Sequence, residues 1–551
     1  MEENNLKIKQ TLGLAYENHK KGNLKLAQSL YEKVLKIDSN HFETIFLLGS
    51  LFLQTRNFHE AINFLNKAIS IQPQHANSYQ NLGYAFIELG EFEKAKELFL
   101  KAIEIQPNHG DAYFNLANAY KQMRNFKKAQ EIYKKTIQIQ PKNSSIYNNY
   151  GNVCKQLGDF EEAINSYNKA IELKPDHPRA HHNLGNTYNQ LGQYSKAINS
   201  FKNAFQYQPF NLESLYNWSD LDEGILNSKL KEKINLIMKN KQLPKKDLAY
   251  GNFLLAKYEL EKRNFENEFN YLVKGHLEYF YSKKTFFEKG TNYWLNDLPK
   301  NKEIEILEGK EIDNYAKPIF IIGVPRCGST VVEKVIASGA RTIPIGEECG
   351  VISAFVGDKI LKQVPLGSDT KVLKEKINDK YNEIGLIKKE SDYIFTDKTL
   401  DNFFFLELIK KVFPKAKIIN CKRNPTSSIM SILKNNLGDV SWAHQLESIF
   451  LYFEIYNKKI THFKSKYPDF IYDLEFESFQ NNPENESKKL MEFCELPWDK
   501  KCLEFHKRKD IISYTASHRQ IRKPIYKVSE DKNKPYKEML SKYGSKYNWY
   551  N

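Results

Sequence analysis

The sequence predicts an α-helical solenoid followed by an α/β domain with a parallel, P-loop-like sheet. Residues 7–210 repeat with a period of 34, whereas from about residue 313 short apolar runs alternate with helical patterns. One run, residues 319–322, breaks at a glycine-containing loop that leads into helical apolar spacing. A strand, a loop and a helix N-terminus in this order form an anion site. We therefore expect the chemistry in the second region.

Length and charge limit the classes of protein. The 551 residues exceed what one hydrophobic core organises, and the 41% hydrophobic content is that of a globular protein. A net charge of +15 fits nucleic acid, an acidic surface or an anionic ligand. Because no basic block alternates with stacking aromatics, we favour the anionic ligand over nucleic acid.

Location and metal content are also expectations from the sequence. No apolar stretch reaches the length of a membrane span, and the first ten residues lack the pattern of a signal peptide. The six cysteines fit a reducing compartment, and we expect a cytoplasmic protein. Neither the cysteines nor the histidines show metal-ligand spacing, so no metal is predicted.

The first region, residues 1–210, contains six 34-residue repeats. In each repeat a small residue stands twelve positions before an alanine, and an aromatic or Leu stands three before it. Small residues let paired helices approach, and prolines end the second helices. The alanines are Ala27, Ala61, Ala95, Ala129, Ala163 and Ala197, and the prolines are Pro73, Pro107, Pro141, Pro175 and Pro209. This pattern resembles the tetratricopeptide repeat (TPR).

Four asparagines recur at the same period on the predicted first helices: Asn81, Asn115, Asn149 and Asn183. An amide both donates and accepts, so such a row could hold an extended peptide. The row resembles the asparagine ladder of TPR-bearing glycosyltransferases, which implies a peptide or protein partner. The alternative is that these amides only join neighbouring repeats, and the sequence leaves both interpretations open.

Residues 211–312 lose the strict period. Ala256, Phe265 and Glu268 still stand at the positions where the repeats carry a small residue, an aromatic and an alanine. We interpret this region as a degenerate repeat that forms a helical bridge to the domain at 313–551.

The loop after the first strand, PRCGST at 325–330, carries the first candidate site. The spacing from Gly323 to Gly328 matches a phosphate loop, but Ser329 replaces the lysine that nucleotide triphosphatases use on the transferred phosphate. The loop resembles that of sulfotransferases that use 3′-phosphoadenosine-5′-phosphosulfate (PAPS), although those usually have Ser or Thr in place of Cys327. An ordinary strand-turn-helix is the alternative. The resemblance implies that the donor is bound by Arg326, Cys327, Gly328, Ser329 and Thr330.

Two further stretches resemble the catalytic segments of this family, including tyrosylprotein sulfotransferases. In GEE at 346–348, the resemblance implies Glu348 as the base that takes the acceptor proton, with Glu347 as the fallback. In FTDKTL at 395–400, it implies that Lys398 stabilises the leaving oxygen, together with Arg326.

Two more stretches resemble donor-binding segments. Arg423 and Ser431 match the family's Arg-x7-Ser clamp on the 3′ phosphate, and a strand-end salt bridge is the alternative. Gln520, Arg522 and Lys523 lie in a segment that closes over the donor in relatives. The chain departs from many relatives at Phe476, where they carry a tyrosine, so any hydrogen bond that the tyrosine hydroxyl makes to the donor is missing here.

Together these features predict a PAPS-dependent sulfotransferase that modifies an acceptor hydroxyl, such as a protein tyrosine or a glycan, with a solenoid that recognises acceptor or partner. One rival is a TPR binding protein with an inactive nucleotide sensor. Another is a P-loop kinase, opposed by Ser329 and by the lack of a convincing magnesium-binding aspartate motif.

Overall fold

A computed structural model of the chain describes residues 2–300, 316–361, 370–387, 393–508, 520–526 and 533–550. The chain divides into two compact units. Residues 1–189 and 195–208 form the first unit, and residues 190–194 and 209–551 form the second. None of the described helices combines the length and the apolar character that crossing a bilayer requires.

The first unit is a solenoid of helix pairs, which confirms the predicted α-solenoid. Its helices are α1 Glu2–Lys20, α2 Leu24–Ile37, α3 Phe42–Gln54, α4 Phe58–Ile71, α5 Ala76–Glu88, α6 Phe92–Ile105, α7 Gly110–Gln122, α8 Phe126–Ile139, α9 Ser144–Gln156, α10 Phe160–Leu173, α11 Pro178–Gln190 and α12 Tyr194–Tyr207. The repeated small residues lie where paired helices come closest. A Cβ added at Gly83 would stand 2.6 Å from the Phe99 ring, and one at Gly185 would stand 2.7 Å from Phe201.

The second unit begins with helices of the region predicted as a bridge. They are α13 Leu212–Ser219, α14 Ser228–Met238, α15 Lys245–Glu261, α16 Phe265–Ser282, α17 Lys284–Asn292 and α18 Leu298–Lys300, with a π-helical segment at Tyr293–Asp297 before α18. The longest two, α15 and α16, pack as an antiparallel pair in which a Cβ at Gly275 would stand 2.6 Å from the Phe253 ring. This tight helix pair is the part that still resembles a repeat.

A four-stranded parallel sheet forms the core of the remaining residues. Its strands are β1 Lys317–Gly323, β2 Ile394–Asp397, β3 Lys417–Lys422 and β4 Ile471–Glu475, in the order β2-β1-β3-β4. The first strand is buried along nearly its whole length, as expected for an inner strand of a parallel sheet. This arrangement confirms the predicted α/β domain. Parallel strands bring their carboxyl ends to one edge, where ligands of such sheets bind.

The helices around the sheet are α19 Ser329–Ala337, α20 Val351–Leu361, α21 Thr370–Glu383, α22 Leu406–Val412, α23 Pro425–Lys434, α24 Leu446–Lys466, α25 Phe476–Asn481, α26 Pro483–Phe493 and α27 Lys534–Gly544. One segment differs from the prediction. The pattern at 402–413 predicts a continuous helix, but its start is a 3-10 helix, Leu400–Phe405. Asp397 accounts for this, because its Oδ1 accepts hydrogen bonds from the backbone of Thr399 and the side chain of Asn402.

Helix α16 packs against the α/β part through buried polar groups. Glu268 on α16 is 1% exposed, and its carboxylate lies 3.0 Å from the ammonium of Lys434 on α23. The hydroxyl of Tyr536 donates to the other Glu268 oxygen over 2.5 Å. Nε2 of His276 donates to the carbonyl of Leu433 over 2.9 Å. The bridge helices and the sheet therefore belong to one folded body.

Candidate active site at the carboxyl edge of the sheet

The loop between β1 and α19 turns sharply at two residues. Arg326 and Gly328 have positive φ angles of 71° and 96°. At Gly328 a Cβ would also stand 2.3 Å from the ring of Phe476, so glycine is required there. Gly328 caps α19, and the first-turn N–H groups of that helix face the loop. The loop is thus built as an anion site.

Two guanidinium groups lie beside this loop. Nε of Arg326 donates to Oγ of Ser431 over 3.0 Å, and Nη1 of Arg423 donates to the carbonyl oxygen of Arg326 over 2.8 Å. Burial and the neighbouring charge of Arg423 together lower the pKa of Arg326 to about 10. Burial also lowers the pKa of Arg423. Two desolvated cations in contact are stabilised when an anion joins them.

One nitrogen of this pair is left without a hydrogen bond. Nε of Arg423 is buried, donates no hydrogen bond in the described part of the chain, and lies 3.9 Å from a carboxylate oxygen of Glu477. Buried donors are normally satisfied. The unsatisfied N–H group of Arg423 therefore favours an anionic ligand beside this side chain.

Lys398 follows β2 and reaches the same loop. Its Nζ lies 2.7 Å from Oε1 of Glu348 and 3.4 Å from the hydroxyl of Thr330. Burial by itself would lower the pKa of Lys398, but the charges of Glu348, Glu347 and Glu333 raise it above its ordinary value. Lys398 is therefore a protonated donor beside the anion site.

A buried charge cluster, formed by Glu333, Lys334 and Glu347, supports this pair. The ammonium of Lys334 lies 3.1 Å from Glu333 and 3.4 Å from Glu347. Glu347 in turn lies 3.5 Å from Lys398. Burial raises the pKa of Glu333. Because Glu347 is 4% exposed and Glu348 is 43% exposed, the two neighbouring carboxylates have different surroundings.

The backbone fixes this difference. The N–H of Lys398 donates to Gly346, and the N–H of Glu348 donates to Lys398, both over 3.1 Å. A Cβ at Gly346 would stand 2.3 Å from the carbonyl oxygen of Thr396, so this close pairing needs glycine. Glu348 itself has a φ of 51°, a conformation that a non-glycine residue adopts at a cost.

Two cavities meet at the loop, and Arg326 and Gly328 line both. The larger cavity, about 260 Å³, contains Glu348, Lys398, Ser329 and Thr330, with aromatic walls that include Trp294, Trp442 and Tyr452. The smaller cavity, about 40 Å³, contains Arg423, Phe476, Gln480, Lys523 and Tyr526. The loop therefore lies between a cavity with the Glu348 carboxylate and the Lys398 ammonium and a cavity with the Arg423 guanidinium.

Comparison with known proteins agrees with this arrangement. Residues 318–500 match the sulfotransferase family. TPR profiles match residues 7–41, 42–108, 74–142, 132–165, 151–192 and 178–211.

This chain joins tetratricopeptide repeats to a sulfotransferase-family domain.

Individual relatives are distant. An uncharacterized protein of Aquifex aeolicus (strain VF5) is 28% identical over 330 residues, which are 56% of this chain and 42% of that protein. Similar solved structures are YrrB, described as a TPR protein with an unusual peptide-binding site, and Pseudomonas aeruginosa pilF. YrrB is 20% identical, with a TM-score of 0.29, covering 34% of this chain and 96% of its own. PilF is 23% identical, with a TM-score of 0.32, covering 36% and 89%.

Some of the residues predicted to bind the donor line the cavities, and others do not. The side chain of Cys327 is fully buried and lines neither cavity. Its sulfur packs against Gly323, where an added Cβ would stand 2.7 Å from it. Lys523 lines the smaller cavity, whereas Arg522 is half-buried and is not among the lining residues. Gln520 begins a short 3-10 helix, Gln520–Arg522, and its side chain lies outside the described residues.

Three of the four repeated asparagines donate to a side chain of the preceding repeat. These bonds run from Asn81 to Ser50 over 2.9 Å, from Asn149 to Asn118 over 3.2 Å and from Asn183 to Asn148 over 2.9 Å. Among the described residues, Asn115 makes no comparable bond. The geometry supports the interpretation that these amides join repeats, and contact with a peptide stays a prediction.

Sequence reasoning missed several residues of the site. In the sequence, Glu333 and Lys334 look like part of an ordinary amphipathic helix. Two adjacent charges between apolar residues in VVEKVI could have indicated a buried ion pair. Asp401 lies in the larger cavity three residues after Lys398. Trp294 comes from the bridge and Trp442 from the segment after α23, and neither belongs to a motif.

Proposed function

We propose that the sulfotransferase domain transfers a sulfuryl group from PAPS to a hydroxyl group of an acceptor. The observation that carries this proposal is the pair of cavities that share Arg326 and Gly328. A group transfer needs the donor and the acceptor on either side of the transferred group. The cationic lining of the smaller cavity suits the phosphates of the nucleotide, and the larger cavity suits the acceptor.

The residues around Arg423 fit a nucleotide with a second phosphate. Arg326, Ser431 and Arg423 form one hydrogen-bonded chain, and the buried Nε of Arg423 makes no hydrogen bond to any of the described residues. In the proposed complex, Arg423 and Ser431 bind the 3′ phosphate, while Arg326 and the first-turn N–H groups of α19 bind the 5′ phosphate. Lys523 closes the nucleotide side, and Phe476 supplies an apolar contact without the hydroxyl that relatives have.

In the transfer step, Glu348 and Lys398 have complementary tasks. When bound, PAPS supplies an activated sulfuryl group on a phosphate oxygen. Glu348, which extends into the larger cavity, accepts the proton of the acceptor hydroxyl. Lys398 donates to the oxygen on which negative charge develops as the donor S–O bond breaks. Because the two side chains are 2.7 Å apart, the shift of Lys398 toward that oxygen frees Glu348 to act as a base.

We assign the repeats to recognition of the acceptor or of a partner that carries it. A TPR array presents an extended surface on which successive repeats contact a chain. This supports a peptide or protein ligand more than a small metabolite, which needs an enclosed pocket. The acceptor group itself could be a protein tyrosine or a glycan hydroxyl.

The test is an incubation of the full chain with PAPS or ATP and a panel of tyrosine peptides, oligosaccharides and simple phenols. Product that forms only with PAPS, and that is lost in Lys398→Ala, supports the proposal. ATP turnover would favour a kinase instead. Binding of adenosine 3′,5′-bisphosphate without transfer to any acceptor would favour a nucleotide sensor.

A further inference from the structure

The larger cavity contains a second carboxylate besides Glu348. Asp401 stands in the 3-10 helix that follows Lys398, and it lines the same cavity as Glu348, Lys398 and Trp442. Within the described residues, no Lys, Arg or His nitrogen lies within salt-bridge distance of its carboxylate. Glu348, in contrast, is held by Lys398 at 2.7 Å. Of the three carboxylates that line the cavity, Glu348 pairs with Lys398 and the largely exposed Asp439 lies 3.7 Å from Lys283, whereas Asp401 has no ion-pair partner among the described residues.

The surroundings of Asp401 make it a stronger base than an ordinary aspartate. Burial, together with the negative charges of Glu348 and Asp397, raises its pKa to about 7. The other titratable groups that interact with it are the phenols of Tyr293 and Tyr452, which are neutral near pH 7. Asp397 is itself held by hydrogen bonds from Tyr381 and Asn402, so it belongs to the buried support and not to the cavity.

We propose that Asp401 contacts the acceptor in this cavity and takes over the proton that Glu348 removes from the acceptor hydroxyl. This inference rests on the proposed function. The acceptor O–H bond breaks, its proton passes to Glu348 and then to Asp401, the acceptor oxygen bonds to sulfur, and the S–O bond to the donor phosphate breaks. Glu348 is then ionised again and re-forms its pair with Lys398. A base with a pKa near the working pH can hold this proton during the transfer.

The charge state of Asp401 can be tested without an acceptor, using Asp401→Asn. Because folding raises its pKa, Asp401 makes the parent protein less stable as pH rises from about 4 to about 7, and the Asn variant lacks this contribution. The unfolding temperature of the variant should therefore exceed that of the parent at pH 8, and the difference should shrink at pH 5. A variant that is less stable at both pH values indicates a structural role and overturns the inference. Asp469→Asn, an exposed carboxylate of the same domain, is the control.

Donor binding gives a second readout. Adenosine 3′,5′-bisphosphate adds negative charge at the loop, so Asp401 should take up a proton when the nucleotide binds near pH 7. Titration calorimetry in two buffers of different ionisation enthalpy measures that uptake, which should disappear in Asp401→Asn with affinity retained. Nucleotide binding with equal proton uptake in both proteins overturns the inference alone. Failure of the parent to bind the nucleotide overturns the proposed function.

Turnover tests the relay itself. Water that enters the cavity is a slow acceptor, and release of adenosine 3′,5′-bisphosphate from PAPS reports transfer to it. Asp401→Asn should lower that rate by roughly tenfold near pH 7.5 and flatten its rise between pH 6 and pH 8. An unchanged rate and pH profile in the variant overturns the relay. So does a parent that binds the nucleotide but releases no product into water.

Discussion

The guanidinium of Arg423 donates a hydrogen bond to the backbone carbonyl of Arg326 over 2.8 Å. This bond connects the residue after β3 with the loop after β1, which adjoins it in the sheet. Its consequence is that a ligand of Arg423 also stabilises the conformation of the loop, including the positive φ of Arg326. Nucleotide recognition and loop geometry are therefore coupled.

The first prediction concerns Arg423→Ala. Under the proposed function, adenosine 3′,5′-bisphosphate binds the parent far better than AMP, because only the former has the 3′ phosphate. A charge-assisted hydrogen bond contributes about 1.5–3 kcal/mol, so the variant should lose roughly ten- to a hundredfold of that preference. Titration calorimetry measures both affinities. Lys422→Ala removes a neighbouring half-buried charge that pairs with Asp473, and it should leave the preference intact. Equal affinities for the two nucleotides in the parent refute the clamp.

The second prediction separates the two adjacent glutamates. Glu348→Gln should lower sulfuryl transfer by roughly a hundredfold, and it should lower the unfolding temperature less than Glu347→Gln does, since the side chain of Glu348 is 43% exposed although it pairs with the buried Lys398. Glu347→Gln should instead lower the unfolding temperature, because the buried Lys334 loses part of its countercharge. Turnover of PAPS and thermal unfolding distinguish the two. If Glu347→Gln stops transfer in a fully stable protein, the base is Glu347.

The third prediction concerns Glu268, which stands where the regular repeats carry alanine. Glu268→Ala restores the repeat residue, yet it should destabilise the second unit by roughly 3 kcal/mol, because it leaves Lys434 and the hydroxyl of Tyr536 without their buried partner. Urea unfolding followed by a probe in the second unit measures the change. Glu266→Ala, an exposed position on the same helix, should have almost no effect. Equal stabilities of the two variants would contradict the pairing.

The fourth prediction uses the asparagines to separate stability from recognition. Asn149→Ala removes a hydrogen bond between repeats and should lower the stability of the first unit by about 1 kcal/mol. Asn115→Ala should change it little. If the row also binds a peptide, Asn115→Ala should weaken that binding at constant stability. The measurements are thermal unfolding and the KM of an acceptor found with the panel. Loss of stability in Asn115→Ala would contradict this separation.

Periodicity made the solenoid predictable, because each repeat repeats the same contacts at the same spacing. The loop, Lys398 and Arg423 were predictable because each follows directly on an apolar strand, and parallel strands end at one edge. The walls of the larger cavity were not. Trp294 and Trp442 are far apart in sequence, and only the packing of the bridge on the segment after α23 brings them together. Asp401 was missed because its environment, and not its position in a motif, determines its pKa.

The buried contact between Glu268 and Lys434 has a consequence for how such proteins can be recombined. Glu268 stands where the other repeats carry alanine, and its ion pair with Lys434 holds α16 against the α/β part of the chain. If the repeats of such proteins are exchanged, the best junction is therefore upstream of α13, near residue 209, where the two compact units divide. A fragment that starts at the first strand would expose Lys434 and lose Trp294 from the cavity wall. We expect the smallest transferable enzyme to include the whole bridge, and the repeats before it to be replaceable in number.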